Sequence, residues 1–301
     1  MRRGAAVRIS SRRKPWTWLM LASLFLVACA GAAPTAKPLA TPTSSPSPTA
    51  APQPTPTATP TPTPPSWWHP TPGLTWQWQL TGKLNLDLKT DVMDIDLHVG
   101  KSVVDYFHSR GTRVICYISV GSYENWRPDK DAFPREVIGK KYEGWTGERW
   151  LDIRRIDLLA PIMRARLDKC AAKGFDAVEP DNIAVYEEDT GFLISYEDNI
   201  RYARWLAEEA HKRGLAIGLK NGPDMVKDLV DDFDFAITEE AFYYHFARDF
   251  VPFIRANKAV FDAEYTDTDV DWERACRESK RLQFSTILKH RELDAWVKFC
   301  E

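Results

Sequence analysis

The chain has 301 residues, 44% of them hydrophobic and 27% charged, a globular composition long enough for one large domain or two small ones. No second twenty-residue apolar run follows the N-terminal one, which argues against a multi-span membrane protein. The formal charge of −2 conceals an asymmetry: the first 66 residues carry seven basic and no acidic side chains, which leaves 33 basic against 42 acidic in the remainder, and a body of −9 disfavours phosphate backbones and favours neutral or cationic partners.

Residues 1–28 read as a lipoprotein signal peptide. A basic stretch ending at Lys14 precedes an apolar one, 15–28, with Trp16, Leu19, Leu21, Leu24, Phe25 and Leu26. Its end, Leu26-Val27-Ala28-Cys29, resembles the bacterial lipobox, in which the Cys becomes the lipidated first residue; an ordinary secretory signal with an incidental Cys is the alternative. Acylation of Cys29 would anchor an exported protein to the bacterial cell envelope without a transmembrane helix. Residues 29–66 form a linker, and its stretch from 31 to 66 holds 12 of the 21 prolines and nine threonines, a solvated spacer of polyproline type. Residues 67–301 are left as the working domain.

After Trp67-Trp68-His69-Pro70, eight short β-rich runs follow: 75–80, 92–97, 113–119, 177–181, 216–221, 235–240, 258–265 and 282–288. Helical patterns lie between most of them, such as 158–173, with Leu159, Ile162, Met163, Leu167 and Cys170 on one side, and 200–213, closed by Gly214. Helix, glycine and strand succeed one another at Gly111, Gly174 and Gly214, the junction of a repeated βα unit. Eight such units predict an α/β fold of the (β/α)8 TIM-barrel type. A doubly wound open sheet is the alternative, and no glycine fingerprint follows the first strand to support it.

In a barrel of this kind the chemistry sits at the C-terminal strand ends, and here those ends carry Asp94 and Asp96, Glu179 and Asp181, Glu239 and Glu240, and Asp262 and Glu264. Alternation puts Asp94 with Asp96, Glu179 with Asp181, and Asp262 with Glu264 on shared faces. Any one of these could be a helix cap or a solvated loop acid, but eight at four strand ends have no packing rationale. Paired carboxylates in an aromatic-rimmed cleft suit glycosidic cleavage, one protonating the leaving oxygen and the other activating water or attacking the anomeric centre. Tyr117, Tyr123, Trp126, Trp145, Trp150, Tyr186, Phe242, Tyr243 and Tyr265 are candidate sugar platforms, about half of them expected in the core, as are Trp76 and Trp78. The six histidines form no HExxH or HxH pattern, and GxSxG and Gly-rich phosphate loops are missing, so zinc, α/β-hydrolase and phosphate-loop chemistry lack support.

Apart from Cys29, the chain has Cys116, Cys170, Cys276 and Cys300, an even number in an exported protein. If Tyr117 and Ser119 face the barrel axis, Cys116 faces the helices, where Cys170 lies before the fourth strand. Of three connectivities this favours Cys116 with Cys170 and Cys276 with Cys300, free thiols being the alternative.

The strings at 117–128 (YISVGSYENWRP), 148–154 (ERWLDIR), 174–182 (GFDAVEPDN), 218–221 (GLKN) and 284–289 (FSTILK) together resemble glycoside hydrolase family 114, the endo-α-1,4-polygalactosaminidases, over essentially all of 67–301. The resemblance implies a (β/α)8 barrel and endo-hydrolysis of α-1,4-linked galactosamine polymers, with no cofactor and no metal. The family's Glu-Pro-Asp-Asn segment places one catalytic acid at Asp181, and its strand-six motif places the other at Glu239. Here that motif reads Thr238-Glu239-Glu240-Ala241-Phe242, where the family more often shows Asn before the Glu and Cys in place of Ala241, so Glu240 is the competing position. Ala184 stands where the family usually has Asp.

The general acid is assigned to Glu239 and the nucleophile or base to Asp181. Around them Asp96, Tyr117, Ser119, Tyr123, Trp126, Glu179, Asn182, Lys220, Asn221, Glu240, Glu264 and Tyr265 are the candidate sugar contacts. Lys220 and Asn221 either bond sugar or a catalytic carboxylate, or only brace the barrel. A cationic or partly acetylated galactosamine chain suits the acidic body. The expected partner is that polysaccharide and not a nucleic acid, for a monomeric protein whose membrane association is the lipid anchor alone. A non-catalytic carbohydrate-binding surface lipoprotein on the same barrel is the alternative, disfavoured because both Asp181 and Glu239 are present.

Overall fold

The computed structural model describes residues 66–300. The expected signal peptide 1–28, the lipidation site Cys29 and the linker up to residue 65 lie outside the described residues.

Strands β1 (Trp76–Gln79) and β2 (Val92–Asp96), helix α1 (Lys101–Ser109) and strand β3 (Arg113–Ser119) open the domain. Three short strands, β4 (Ser122–Glu124), β5 (Ile138–Lys141) and β6 (Glu148–Leu151), precede helix α2 (Ile156–Lys173). Then come β7 (Ala177–Asp181), α3 (Tyr196–His211), β8 (Ala216–Lys220), α4 (Val226–Leu229), β9 (Phe235–Glu239), α5 (Val251–Arg255), β10 (Val260–Tyr265), α6 (Trp272–Leu282), β11 (Ser285–Lys289) and β12 (Val297–Phe299). Strands β1, β2, β3, β7, β8, β9, β10 and β11 run parallel in that spatial order, which is the predicted eight-stranded barrel, and β12 extends it antiparallel to β11. Side chains bridge the seam between β1 and β11: Trp76 Nε1 donates to Ser285 O at 2.8 Å, and the buried Lys289 Nζ donates to Gln77 Oε1 at 2.9 Å.

Alternation sorts each strand into an inner and an outer layer. Trp76 and Trp78 of β1, Phe235 and Ile237 of β9, and Phe261 of β10 fill the barrel, with Ala177, Ala216 and Ala263 giving them room. The fit is close, since a Cβ on Gly218 would lie 2.4 Å from Phe235 Cε2. The outer layer, with Val114, Ile118, Val178 and Leu219, packs against Leu159, Met163 and Leu167 of α2 and Leu206 of α3. Cys116 points the same way and is joined to Cys170 of α2, Cα to Cα 6.1 Å; Cys276 of α6 is joined to Cys300, 5.3 Å. Both bonds are the pairs the sequence favours.

Helix α3 begins four residues before the expected 200, because Ser195 and Asp198 form a capping box that starts it at Tyr196. The eighth run differs in the opposite sense. Residues to Leu282 continue α6, Gln283 is left-handed (φ +61°), and the strand starts only at Ser285. The Phe284 N–H donates to Ser279 O at 3.0 Å and the Ser279 hydroxyl donates to Phe284 O at 3.0 Å, which closes the helix locally before the chain can extend. The sheet β4-β6-β5 and strand β12 have no counterpart in the eight-run prediction. Gly121 seats the small sheet on the barrel: a Cβ there would overlap Asn182 O at 1.7 Å, so only glycine lets the end of β3 pass the end of β7.

Candidate active site

Three neighbouring strands end alike. Strands β7, β8 and β9 finish at Asp181, Lys220 and Glu239, and the next residues, Asn182 (φ +59°), Asn221 (φ +50°) and Glu240 (φ +58°), are left-handed. The turn takes the backbone off the strand while the preceding side chain, inward by alternation, stays aimed at the barrel mouth. Asn enters this conformation readily and Glu does not. Glu240 is held in it by its N–H, which donates to Ala263 O at 2.9 Å, and by Arg291, whose Nη2 donates to its carboxylate at 2.8 Å.

The fully buried Lys220 ammonium joins the strand ends. Its Nζ lies 2.8 Å from Asp181 Oδ1, 2.9 Å from Glu179 Oε1 and 3.1 Å from Glu239 Oε2, and 4.5 Å from the centre of the Trp78 ring. Burial alone would lower its pKa, but the charges of Asp181, Glu179 and Glu239 raise it well above the ordinary value. The remaining oxygens are held by phenols: Tyr117 donates to Asp181 Oδ2 at 2.8 Å, and Tyr265 donates to Glu239 Oε1. Burial first, then the charge of the partnered carboxylate, pushes both phenols well above the ordinary range. Asn221 completes the frame, with Oδ1 accepting the Glu239 N–H at 2.9 Å and Nδ2 donating to Glu239 Oε2 at 3.3 Å.

Below this ring lie Asp94 and Glu179, both fully buried. Burial, then the charge of Glu179, raises Asp94 well above the carboxylate range, and Glu179 is itself pushed up to about 7 by burial against the pull of Lys220. Glu179 therefore sits under the mouth as a partner of Lys220, away from solvent. Ser119 is also fully buried, its Oγ 2.7 Å from Ser122 Oγ. Glu264 and Glu240, expected among the sugar contacts, point elsewhere. On β10 it is Phe261, Ala263 and Tyr265 that face inward, so Asp262 and Glu264 lie in the outer layer, where Glu264 Oε1 accepts the Phe242 N–H at 2.7 Å. Alternation likewise gives the mouth to Glu239 and turns Glu240 toward Arg291.

One wall of the mouth comes from β4, β6 and their loops. Arg127 donates to Glu124 at 2.8 Å and to Asp96 at 2.6 Å, and its guanidinium stands 5.9 Å over the Tyr117 ring. Burial would raise Asp96, but the His98 and Arg127 contacts outweigh it and bring Asp96 to about 2. Trp126 and Trp145 are half exposed, at 52% and 49%, whereas Trp150 and Phe242 are core. Tyr123 is half-buried, edge-on to Phe133 at 5.7 Å. Asn182 bridges the wall to Asp181's strand, donating from Nδ2 to Ser119 Oγ at 3.2 Å and Ser122 Oγ at 3.3 Å.

Two residues of this wall carry no role in the sequence prediction. Tyr142 packs against Trp150 with ring centres 4.0 Å apart and planes tilted by 31°, and burial, then the charges of Asp181 and Glu239, pushes its phenol far up. Glu148, on β6, accepts the Ser122 hydroxyl at 2.7 Å. Its place in the ERWLDIR string was the available signal, but only pairing β6 with β4 brings it within the electrostatic reach of Asp181.

The GH114 family model, glycoside-hydrolase family GH114, matches residues 57–301. Among solved structures, Aspergillus fumigatus Ega3 in complex with galactosamine is 34% identical, with a TM-score of 0.72 over 78% of this chain and 98% of that one. The glycoside hydrolase domain of PelA from Pseudomonas aeruginosa shares the fold at 13% identity, with a TM-score of 0.60 over 75% of this chain and 99% of that one. No curated protein matches the chain. A barrel in which β7 and β9, on either side of β8, deliver Asp181 and Glu239 to one ammonium, and whose sequence fits one family model along the whole described domain, has a single assignment: the chain belongs to glycoside hydrolase family GH114.

Proposed function

We propose that this glycoside hydrolase is endo-acting and cleaves α-1,4-linked galactosamine-containing polysaccharide by a two-carboxylate mechanism. The observation that carries the reading is the meeting of Asp181 and Glu239 on Lys220 Nζ: contacts of 2.8 and 3.1 Å cap the span between those two oxygens at about 5.9 Å. That ceiling admits the about 5 to 5.5 Å of double displacement and, for this pair of oxygens, lies below the roughly 6.5 to 9.5 Å that leaves room for a water. The galactosamine bound to the 34%-identical Ega3 supports an amino sugar as the substrate unit.

In this mechanism Glu239, the more open carboxyl at 27% exposure against 18%, protonates the leaving glycosidic oxygen as Asp181 attacks the anomeric carbon. Tyr117 and Lys220 hold the Asp181 oxygens for attack. Water, deprotonated by Glu239, then releases the glycosyl ester and restores both groups. Asp181→Asn and Glu239→Gln are each expected to lower kcat on an α-1,4-galactosamine polymer by about 10²- to 10⁴-fold with binding retained, while Glu240→Gln keeps most of the activity. NMR of fresh product should show the α anomer first. Full activity in Asp181→Asn would remove the mechanism, and a β first product would replace double displacement by a single inversion.

The lipobox-like end of the leader supports an exported protein anchored to the cell envelope through Cys29; free secretion is the alternative. Mass spectrometry of intact protein should find acyl chains on Cys29, and their absence would favour secretion.

A further inference from the structure

Asp181 and Glu239 are each held by a phenol, and each phenol is covered by a guanidinium. Tyr117 donates to Asp181 and lies under Arg127 at 5.9 Å; Tyr265 donates to Glu239 and lies under Arg291, only 4.1 Å from the ring centre to the guanidinium carbon. The second stack is the closer, well inside the about 6 Å over which a cation is drawn to a ring face. Each guanidinium is in turn fixed by two acids, Arg127 by Glu124 and Asp96, Arg291 by Glu240 and Asp267.

Arg291 carries no role in the sequence prediction, and it ties together the chain after three strands. Its Nη2 donates to Glu240 Oε1 at 2.8 Å, on the turn directly after Glu239. Its Nε and Nη2 form a fork on Asp267, at 2.7 and 2.8 Å, two residues beyond Tyr265. The loop that carries it, between β11 and β12, is fastened to the chain after β1: the Leu80 N–H donates to Leu293 O at 2.9 Å and the Thr81 hydroxyl donates to Glu292 O at 2.6 Å. A planar guanidinium can stack on a ring and bond two carboxylates at once, which an ammonium cannot. Burial, then the charge of Glu239, raises the Tyr265 phenol, so it keeps its proton for the bond to Glu239; the Arg291 charge opposes that rise and polarises the O–H toward the carboxylate.

Resting on the glycosidase reading above, we propose that Arg291 is a positioning residue for the reaction: by stacking on Tyr265 while tying the turn after Glu239 to the loop after Tyr265, it holds the Glu239 carboxyl at the barrel mouth. It acts on the chemical step through Tyr265 and not on the affinity for the chain, so its loss is read in kcat. Glu240→Gln removes one anchor only, and Asp267 still fixes the guanidinium over the ring.

The test measures kcat and KM on an α-1,4-linked galactosamine polymer for the wild type, Arg291→Lys, Arg291→Met, Tyr265→Phe and the Arg291→Met/Tyr265→Phe double variant, with circular dichroism confirming folding. Arg291→Met should lower kcat about tenfold or more with KM changed by no more than about twofold. Arg291→Lys keeps a cation over the ring without the fork and should recover part of the loss. Tyr265→Phe should lower kcat at least as far as Arg291→Met. In that background Arg291→Met should cost no more than about twofold further, because the group through which Arg291 acts is already gone. If Arg291→Met fails to fold, Arg291→Lys takes its place in the cycle. Losses that multiply in the double variant, a loss confined to KM, or an unchanged kcat in folded Arg291→Met overturns the proposal alone. A wild type that leaves the polymer uncut overturns the glycosidase reading, and the proposal with it.

Discussion

Lys220 decides the electrostatics of the mouth. It is the one cation touching Glu179, Asp181 and Glu239 among the described residues, and it is 2% exposed. Removing one partner of a buried ionic cluster leaves the others unpaired, at a cost of about 3 to 5 kcal/mol. Lys220→Met should therefore lose activity and about that much stability near neutral pH, by urea unfolding. The loss should shrink as pH falls, because protonation removes the charges that the lysine balanced. A stable, active Lys220→Met would reduce the lysine to a filler of the barrel. The GLKN string made Lys220 and Asn221 visible as a strand end; which acids they hold came from neighbouring strands that the sequence does not order.

At the level of elements, strand β10 shows how one strand serves two environments. Its inner face gives Tyr265 to Glu239, while its outer face buries Asp262 and Glu264 against the helical layer. Among the described residues Glu264 Oε2 has no hydrogen-bond partner, and burial, then the charge of Asp262, brings the group to about 9 from an ordinary 4.5; burial brings Asp262 to about 7 from 3.8. Both folded-state values are raised, so the folded protein binds more protons than the unfolded chain between the two values, and stability falls as pH rises through that window. The melting temperature of the domain should drop from about pH 5 to about pH 9, and Glu264→Gln, which keeps the acceptor for the Phe242 N–H, should flatten the upper part of that slope. An unchanged slope in Glu264→Gln would mean that Glu264 titrates normally. The period-two pattern showed that Asp262 and Glu264 share a face; it could not say that the face is the outer one, because that sign depends on how the whole sheet closes.

On the scale of the molecule, two disulfides cross the outer layer. They span sequence separations of 54 for Cys116 with Cys170 and 24 for Cys276 with Cys300. Loop-closure entropy gives about 4 and about 3.5 kcal/mol respectively. The Cys276→Ala/Cys300→Ala protein should lose about that stability and free the end of the chain after β12, read as faster amide exchange at Val297–Phe299, with the β7–β8–β9 strand ends and their activity largely preserved. The Cys116→Ala/Cys170→Ala protein should lose stability to a similar degree by releasing α2 from β3. Equal exchange at β12 with and without its disulfide would show that pairing with β11 alone secures it.

Properties carried by short stretches of chain are determined by the sequence itself. Strand runs with period-two alternation, helices ended by glycine, the Asp181 and Glu239 strand ends and the even cysteine count all follow from local propensity and spacing, and the barrel follows from their repetition. Properties that need two distant segments at once were decided by the tertiary structure alone. The seam held by Trp76 and Lys289, the outward turn of Glu240 and Glu264, the burial of Glu179 beneath Lys220, and the sheet that brings Glu148 and Tyr142 to the mouth all depend on register and closure. A one-residue shift in either would invert every face, and no window of sequence contains the partner strand that selects between them.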